Sequence, residues 1–88
     1  MTNIVIYLTA TCPYCLRAKI LLDKKNVTYV EHYVEKDNTL MDEMVERSQR
    51  YSVPQIFIDD RHIGGFDDMY MMDLDDELDP LLFPESDS

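Results

Sequence analysis

Apolar residues recur along this 88-residue chain in short segments whose spacing alternates between that of strands and that of helices. Residues 3–8 are apolar on both faces, which is typical of a central strand covered on two sides. Residues 28–34 combine β-branched and aromatic residues with polar ones, which indicates a more exposed outer strand. Residues 55–58 and 61–63 flank a tight Asp-Asp turn and therefore predict a β-hairpin.

Three segments with helical spacing lie between and after these strands. Residues 13–25 place their apolar side chains along one side of a helix. A second helix is predicted up to about residue 50, after a turn at residues 36–39, because Thr39 and Asp42 have the spacing of a capping box. Residues 66–78 form the last predicted helix, whose first turn carries two aspartates.

Beyond that helix, Pro80 is expected to stop the chain from continuing as a helix. Residues 81–83 are then expected to fold back onto the core, and residues 84–88 to form a frayed tail. The element order predicts a right-handed βαβ unit with parallel strands, followed by an antiparallel pair and a helix. We therefore predict a single α/β domain over residues 1–88, with helices on both faces of a four-stranded mixed sheet.

Two cysteines, Cys12 and Cys15, lie where the first strand is followed by the first helix. A thiolate at a helix start faces backbone N–H groups and the positive end of the helix dipole. Pro13 suits the first helical turn, where its missing N–H has no intrahelical partner. Two intervening residues allow the sulfurs to form a disulfide, so that one thiol attacks and the other resolves. Because Cys15 falls on the apolar side of the helix, Cys12 is predicted to be the exposed thiol.

Other uses of the cysteine pair are less consistent with the sequence. A structural disulfide would close a very small loop and would be the only one in the chain. A zinc site needs four ligands, and the remaining candidates of the usual type, His32 and His62, lie far apart in the sequence. We therefore expect no metal. His32 is predicted to be an exposed strand residue and His62 to fill the hairpin.

The charge of the chain excludes one class of partner. The formal net charge is −10, and nine of the 18 acidic residues lie from Asp67 onward, where there is no Lys or Arg. Such a surface repels phosphate, so nucleic-acid binding is rejected. The acidic end is expected to be a solvated surface, and steering of a basic partner is the alternative. The sequence has neither a span of membrane length nor the layout of a signal peptide, so a cytoplasmic protein with no membrane partner is expected.

Three motifs at this spacing make the chain similar to the glutaredoxins, in particular to the short bacterial dithiol type. They are Cys12-Pro13-Tyr14-Cys15, Ser52-Val53-Pro54-Gln55-Ile56-Phe57-Ile58 and Gly64-Gly65-Phe66-Asp67-Asp68. The resemblance covers about residues 3–83. It implies a thioredoxin fold with strand order 2-1-3-4, glutathione as co-substrate, Cys12 as nucleophile and Cys15 as the resolving thiol of a redox-active Cys12–Cys15 disulfide.

The resemblance also implies where glutathione binds. A cis bond before Pro54 would leave the backbone of Val53 free to pair with the cysteinyl part of glutathione. The γ-glutamyl group would be held at the start of the last helix. The predicted glutathione-binding residues are Tyr14, Arg50, Val53, Pro54, Phe66, Asp67 and Asp68, with Gln49 and Tyr51 near the glycyl carboxylate. The chain departs from many relatives at Thr9, where they carry a lysine, and at Ser52, where Thr is usual.

These observations predict a monomeric, glutathione-dependent thiol–disulfide oxidoreductase. Its expected partners are glutathione, proteins with disulfides or bound glutathione, and glutathione reductase, which acts indirectly through glutathione. Two other classes stay open at this stage. One is an iron–sulfur cluster carrier that uses Cys12 and glutathione, against which Pro13 counts. The other is a non-catalytic adaptor that binds through the acidic final helix.

Overall fold

The computed structural model of the protein describes residues 2–84, which form four strands, four α-helices and one 3₁₀ helix. None of these helices is long and apolar enough to cross a lipid bilayer. In chain order the elements are β1 (Ile4–Leu8), α1 (Pro13–Lys24), β2 (Val30–Tyr33), the 3₁₀ helix (Val34–Lys36), α2 (Asn38–Ser48), β3 (Gln55–Ile58), β4 (Arg61–Gly64), α3 (Phe66–Leu74) and α4 (Leu78–Leu82).

The four strands form one mixed sheet with the order β2-β1-β3-β4, which confirms the order implied by the resemblance. Strand β1 pairs in parallel with β2 and antiparallel with β3, and β3 pairs antiparallel with β4. The two central strands, β1 and β3, are the most buried, as their apolar sequences predict. Because β1 and β3 are antiparallel neighbours, the loop after β1 and the loop before β3 lie at the same end of the strands.

Helices cover both faces of the sheet, as predicted. On one face, α1, α3 and α4 pack on β1 and β3; Leu22, Met69 and Leu78 are fully buried there. On the other face, α2 packs through Met44 against Tyr7. Burial of a large apolar side chain is worth about 1.5–3 kcal/mol, so these two layers supply most of the driving force that holds the loops in place.

Helix α2 begins two residues earlier than the sequence indicated, and the predicted capping box is wrong. Its N-cap is Asp37, whose carboxylate accepts hydrogen bonds from the backbone N–H of Thr39 (2.9 Å) and from the Thr39 hydroxyl (2.7 Å). Asp is as good an N-cap as Thr, and its bond to the N2 backbone satisfies one of the free N–H groups. The predicted turn at residues 36–39 thus consists of the last residue of the 3₁₀ helix, the N-cap residue and the first two residues of α2.

The predicted last helix is divided in two, so the prediction of one helix ended by Pro80 is wrong. Helix α3 ends at Leu74, and the chain reverses through Asp76, which has a left-handed backbone (φ 60°). Pro80 lies in the first turn of α4, where no intrahelical bond to its nitrogen is needed. The break turns Leu78 and Leu82 into the core, whereas Phe83 is half exposed and does not fold in as expected. The predicted tail lies, from residue 85 onward, outside the described residues.

Candidate active site

The sulfur of Cys12 caps the N-terminus of α1. Cys12 is the N-cap residue, and its Sγ accepts a hydrogen bond from the backbone N–H of Cys15 at 3.4 Å. The first intrahelical bond of this turn runs from the N–H of Leu16 to the carbonyl of Cys12 (3.1 Å), and Pro13 occupies the position that needs no donor. The Cys12 side chain is partly exposed. The sulfur therefore lies where the sequence indicated, at the start of α1 beside a backbone N–H group of the first turn.

Cys15 differs from Cys12 in burial. Its side chain is 1% exposed and packs in the core beside Ala18 and Leu22. Burial raises the pKa of the Cys15 thiol to about 12, because a thiolate loses its hydration there. Both cysteines are free thiols in this structure. The exposed Cys12 and the buried Cys15 are thus suited to different steps of one reaction, with Cys12 the only one that a substrate can reach directly.

A short loop brings the backbone of Val53 next to Cys12. The carbonyl oxygen of Val53 lies 3.9 Å from Cys12 Sγ, and the Val53–Pro54 peptide bond is cis, as the resemblance implied. The preceding turn is held by Ser48 at the end of α2, whose Oγ accepts from the N–H of Arg50 at 3.0 Å and donates to Met44 at 2.7 Å. The loop is therefore fixed to the helix behind it and to the strand that follows it.

A cavity of about 220 Å³ opens beside this loop, and the three sequence motifs meet in it. All seven residues predicted to bind glutathione contribute to its wall: Tyr14, Arg50, Val53, Pro54, Phe66, Asp67 and Asp68. Three further residues, Ser52, Gln55 and Gly65, complete the lining. Residues from three separate segments converge here. The loop after β1, the loop before β3 and the start of α3 all lie at the same end of the strands. Their roles in binding stay a prediction.

Two aromatic rings form the wall of the cavity nearest α1. The rings of Tyr14 and Phe66 lie 6.4 Å apart, and Phe66 stacks on Tyr70 at 5.6 Å. The guanidinium of Arg17 lies 5.2 Å from the centre of the Tyr14 ring, which is within the range of a cation–π contact. Tyr14 is 48% exposed, so an apolar, solvent-accessible surface adjoins the start of α1.

Another part of the cavity wall carries an ion pair. One carboxylate oxygen of Asp68, Oδ2, accepts hydrogen bonds from the Gly65 backbone N–H (2.9 Å) and from Arg50 Nη1 (3.1 Å). The Gly65 hydrogen bond, supported by the Arg50 guanidinium, holds the pKa of Asp68 below its usual range, although partial burial acts in the opposite direction. Both side chains are about half exposed, so the pair itself contributes little to stability. It brings one positive and one negative group together in the cavity wall.

The lowered pKa of Asp68 predicts a specific loss of stability in acid. A carboxyl whose pKa is lower in the folded state contributes stability above its unfolded pKa, and that contribution disappears as the pH falls through the folded pKa. The free energy of unfolding of wild type should therefore exceed that of Asp68→Asn at pH 7, and the difference should shrink below about pH 4. Urea unfolding at several pH values measures it. Asp67→Asn removes the same charge from the same helical turn and is the control; equal behaviour of the two variants would contradict the assignment.

Several residues differ from the sequence expectations in their details. Gln49 has a left-handed backbone (φ 62°) that ends α2, and Tyr51 is 76% exposed; neither lines the cavity. His32 is partly buried and its ring lies 5.2 Å from that of Tyr7, so the prediction of an exposed residue is wrong. His62 does more than fill the hairpin, because its Nε2 lies 2.7 Å from the side-chain oxygen of Gln55. The lining role of Gln55 was missed, although the sequence places it directly after Pro54.

Comparisons with known proteins all point to one family. A sequence model of the glutaredoxin family matches residues 4–63 of the chain. The chain is 51% identical over 82 residues to glutaredoxin 3 of Escherichia coli K12, covering 93% of this chain and 99% of that protein. It is 49% identical over 81 residues to a probable glutaredoxin of Synechocystis, covering 91% and 92% of the two chains.

Solved structures give the same answer for the fold. The solution structure of a glutaredoxin from Brucella melitensis superposes with a TM-score of 0.82 at 44% identity, over 93% of this chain and 89% of that one. The crystal structure of a buckwheat glutaredoxin–glutathione complex superposes with a TM-score of 0.87 at 26% identity, over 94% and 78% of the two chains. Among residues 2–84 of this chain, no three His, Cys, Asp or Glu side chains form a group that could hold a metal ion.

Proposed function

This chain belongs to the glutaredoxin family, and from that premise we propose that Cys12 and Cys15 are its nucleophilic and resolving thiols. The protein is an enzyme, a glutathione-dependent thiol–disulfide oxidoreductase. The observation that carries the residue assignment is the cavity beside Cys12, which three distant segments line together. A nucleophilic sulfur next to a cavity of this size suits a disulfide substrate of which one half is small.

The first reaction releases glutathione from a modified protein. The Cys12 thiolate attacks the glutathionyl sulfur of the mixed disulfide, and the protein substrate leaves as a thiolate that takes up a proton. Cys12 is then bonded to glutathione. The thiolate of a second glutathione attacks the glutathionyl sulfur, which forms glutathione disulfide and returns Cys12 as a thiolate. In the net reaction one free glutathione is oxidised: its sulfur replaces the protein sulfur in the disulfide, the protein is returned as a thiol, and Cys15 is not needed.

The second reaction reduces a protein disulfide and uses both cysteines. Cys12 attacks one substrate sulfur, and the other leaves as a thiolate. Cys15 then loses its proton and attacks Cys12 Sγ, which releases the second substrate thiolate and leaves the Cys12–Cys15 disulfide. Burial holds Cys15 in its protonated form, so it does not compete with Cys12 for the substrate, and it lies next to Cys12 for the second step. Two glutathione molecules then restore the dithiol and form glutathione disulfide.

The cavity lining offers a contact for each charged group of glutathione. In α3 the first bond between successive turns runs from Met69 N to Gly65 O, so the N–H groups of Asp67 and Asp68 precede it and point out of the helix start. These groups suit the γ-glutamyl carboxylate, and an aspartate suits its ammonium group. Arg50 suits the glycyl carboxylate. Arg50 and Asp68 are paired with each other in the free protein. Glutathione must therefore replace this ion pair with one contact to each of the two residues.

We extend the proposal to partners and location. The protein partners are disulfide-containing or glutathionylated proteins, and glutathione reductase restores the glutathione that the reaction consumes. A cytoplasmic location agrees with this chemistry, because the cycle depends on a reduced glutathione pool and on cysteines that return to thiols. A monomer is sufficient for the reaction, because a single chain contributes all the residues assigned to the site.

One assay tests the activity and the site together. Reduction of the mixed disulfide of glutathione and a small thiol is followed with glutathione, glutathione reductase and NADPH as loss of NADPH absorbance. We expect turnover by wild type, and a KM for the mixed disulfide about three- to tenfold higher in Arg50→Gln, the effect of losing one partly exposed contact worth about 1 kcal/mol. Arg61→Gln, which removes a positive charge from β4, should match wild type. Absence of turnover by wild type would refute the assignment and favour an adaptor; a coloured protein isolated without oxygen would favour a cluster carrier.

A further inference from the structure

One residue of the cavity lining, Gln55, carries a buried amide. The side chain of Gln55 is 1% exposed, yet both of its polar atoms have partners. Its Nε2 donates to the backbone carbonyl of Ser52 at 3.0 Å and lies 3.4 Å from the Ser52 hydroxyl. Its Oε1 lies 2.7 Å from Nε2 of His62. A buried amide without partners is costly, so these contacts hold one another in place.

The chemistry of the partners fixes the direction of every hydrogen bond in this group. The Ser52 carbonyl can only accept, so the amide nitrogen of Gln55 must face it, which leaves Oε1 directed at the histidine. His62 must therefore carry its proton on Nε2 and donate it to Gln55. The imidazole is held in that orientation by Phe57, whose ring centre lies 5.0 Å away. Gln55 on β3 and His62 on β4 thus together hold the Ser52 carbonyl in one orientation.

The orientation of that carbonyl determines what Val53 presents to a ligand. The peptide group between Ser52 and Val53 is planar and trans, so its N–H points opposite to its C=O. Because the carbonyl points at the buried amide, the Val53 N–H points away from the interior. Val53 lines the cavity, and its carbonyl lies 3.9 Å from Cys12 Sγ. The backbone edge beside the nucleophile is therefore oriented from behind by Gln55.

We propose that Gln55 and His62 are positioning residues that hold the Ser52–Val53 peptide group ready to pair with the peptide backbone of glutathione. This inference rests on the proposed function. Neither side chain touches the reacting sulfur, so their loss should weaken binding and leave the chemistry of Cys12 unchanged. Loss of binding that is equal in the ground state and the transition state raises KM and leaves kcat as it was.

The test compares variants of Gln55 in the reduction of a glutathionylated peptide. Gln55→Met keeps the length of the side chain and removes both polar atoms, and we expect its KM for that peptide to rise about three- to tenfold with kcat unchanged. The rate at which iodoacetamide alkylates Cys12 should equal that of wild type. His62→Phe keeps the packing on Phe57 but removes the donor, so a smaller rise is expected. His32→Phe is the matched control, because this ring packs on Tyr7 at the other edge of the sheet.

A second variant keeps the proposal testable if Gln55→Met unfolds, which urea denaturation would reveal. In Gln55→Glu the carboxylate cannot donate to the Ser52 carbonyl, but its protonated form can. The ratio of variant to wild-type KM should therefore fall towards one as the pH is lowered from 8 to 5. A folded Gln55→Met with wild-type KM, or a Gln55→Glu ratio that stays above one and independent of pH, would overturn the positioning role. If wild type itself failed to reduce the glutathionylated peptide, the proposed function would fail and not this inference alone.

Discussion

Cys15→Ser should keep its activity on small glutathione mixed disulfides and lose nearly all of its activity on protein disulfides, whereas Cys12→Ser should lose both. In Cys15→Ser the intermediate with a protein substrate can be resolved only by free glutathione. An intramolecular attack then becomes a bimolecular one, and the rate of protein-disulfide reduction should fall about a hundredfold or more. The variant's activity on mixed disulfides should stay close to that of wild type, because that reaction never uses Cys15.

The structural reason for the difference is the placement of the two sulfurs on one helix. Cys12 Sγ caps α1 and is partly exposed, whereas Cys15 is enclosed in the core. Alkylation of the reduced wild-type protein at neutral pH should therefore modify a single thiol, and mass spectrometry of peptides should assign it to Cys12. Burial keeps the pKa of Cys15 near 12, so its alkylation should need unfolding. Equal phenotypes of the two serine variants, or alkylation of both thiols in the folded protein, would contradict the assignment.

Much of the fold could be predicted from the sequence because its elements are short and strongly patterned. The apolar run of β1 and the helical spacing after Pro13 leave little choice of structure, and the crossover rule then makes β1 and β2 parallel. The strand order, in contrast, could not be predicted from these patterns. Periodicity does not say which neighbour β3 pairs with, and only the resemblance supplied the position of β3 beside β1.

The errors arose where tertiary contacts override local signals. The sequence 66–78 has no residue that must stop a helix at 74, yet the chain reverses there because the reversal buries Leu78. Helix α2 begins after Asp37 and not at Thr39, since both residues are able to cap and only the three-dimensional context chooses between them. Helix boundaries that depend on such small energy differences cannot be predicted from the sequence pattern alone.

The candidate site was predictable in its residues but not in its contacts. The three motifs contain every residue that lines the cavity except Arg50. They did not show that Arg50 is paired with Asp68, or that a buried amide lies behind Ser52. The ion pair joins segments that are distant in the sequence, and the contact of the buried amide spans the cis bond. Both depend on side-chain directions that a sequence pattern does not specify.

Gly64→Ala should be among the most destabilising single changes at the site, while Gly65→Ala should be nearly neutral. Gly64 has φ +120°, a backbone conformation that an L-residue adopts only with strain. A Cβ added there would overlap Oδ2 of Asp68 and lie 2.7 Å from its Cγ, so that side chain would have to move. Backbone strain of this kind costs of order 1–3 kcal/mol. The displaced carboxylate would also lose its bonds to Gly65 and Arg50.

The expected result is a melting temperature lower by on the order of 10 °C, together with a higher KM for glutathionylated substrate. At Gly65 the backbone is ordinary (φ −89°), and an added Cβ would lie 3.4 Å from the Pro54 carbonyl oxygen, an acceptable contact. Gly65→Ala is thus the matched control, with an expected change in unfolding free energy below about 1 kcal/mol. An equal loss of stability in Gly64→Ala and Gly65→Ala would show that neither φ nor the clash with Asp68 decides the effect.

A double-mutant cycle separates the two causes. If the added methyl acts through Asp68, the Gly64→Ala, Asp68→Ala protein should be more stable than the sum of the single effects allows, because part of the clash is gone and the lost hydrogen bonds are counted only once. If the cost is backbone strain alone, the effects should add. The coupling energy, measured by urea unfolding, should therefore be favourable and of order 1 kcal/mol, and the loss that Gly64→Ala causes in the Asp68→Ala background should approach the cost of the strained φ. An additive cycle would mean that Gly64 is required for the turn alone and does not act through the carboxylate in the cavity wall.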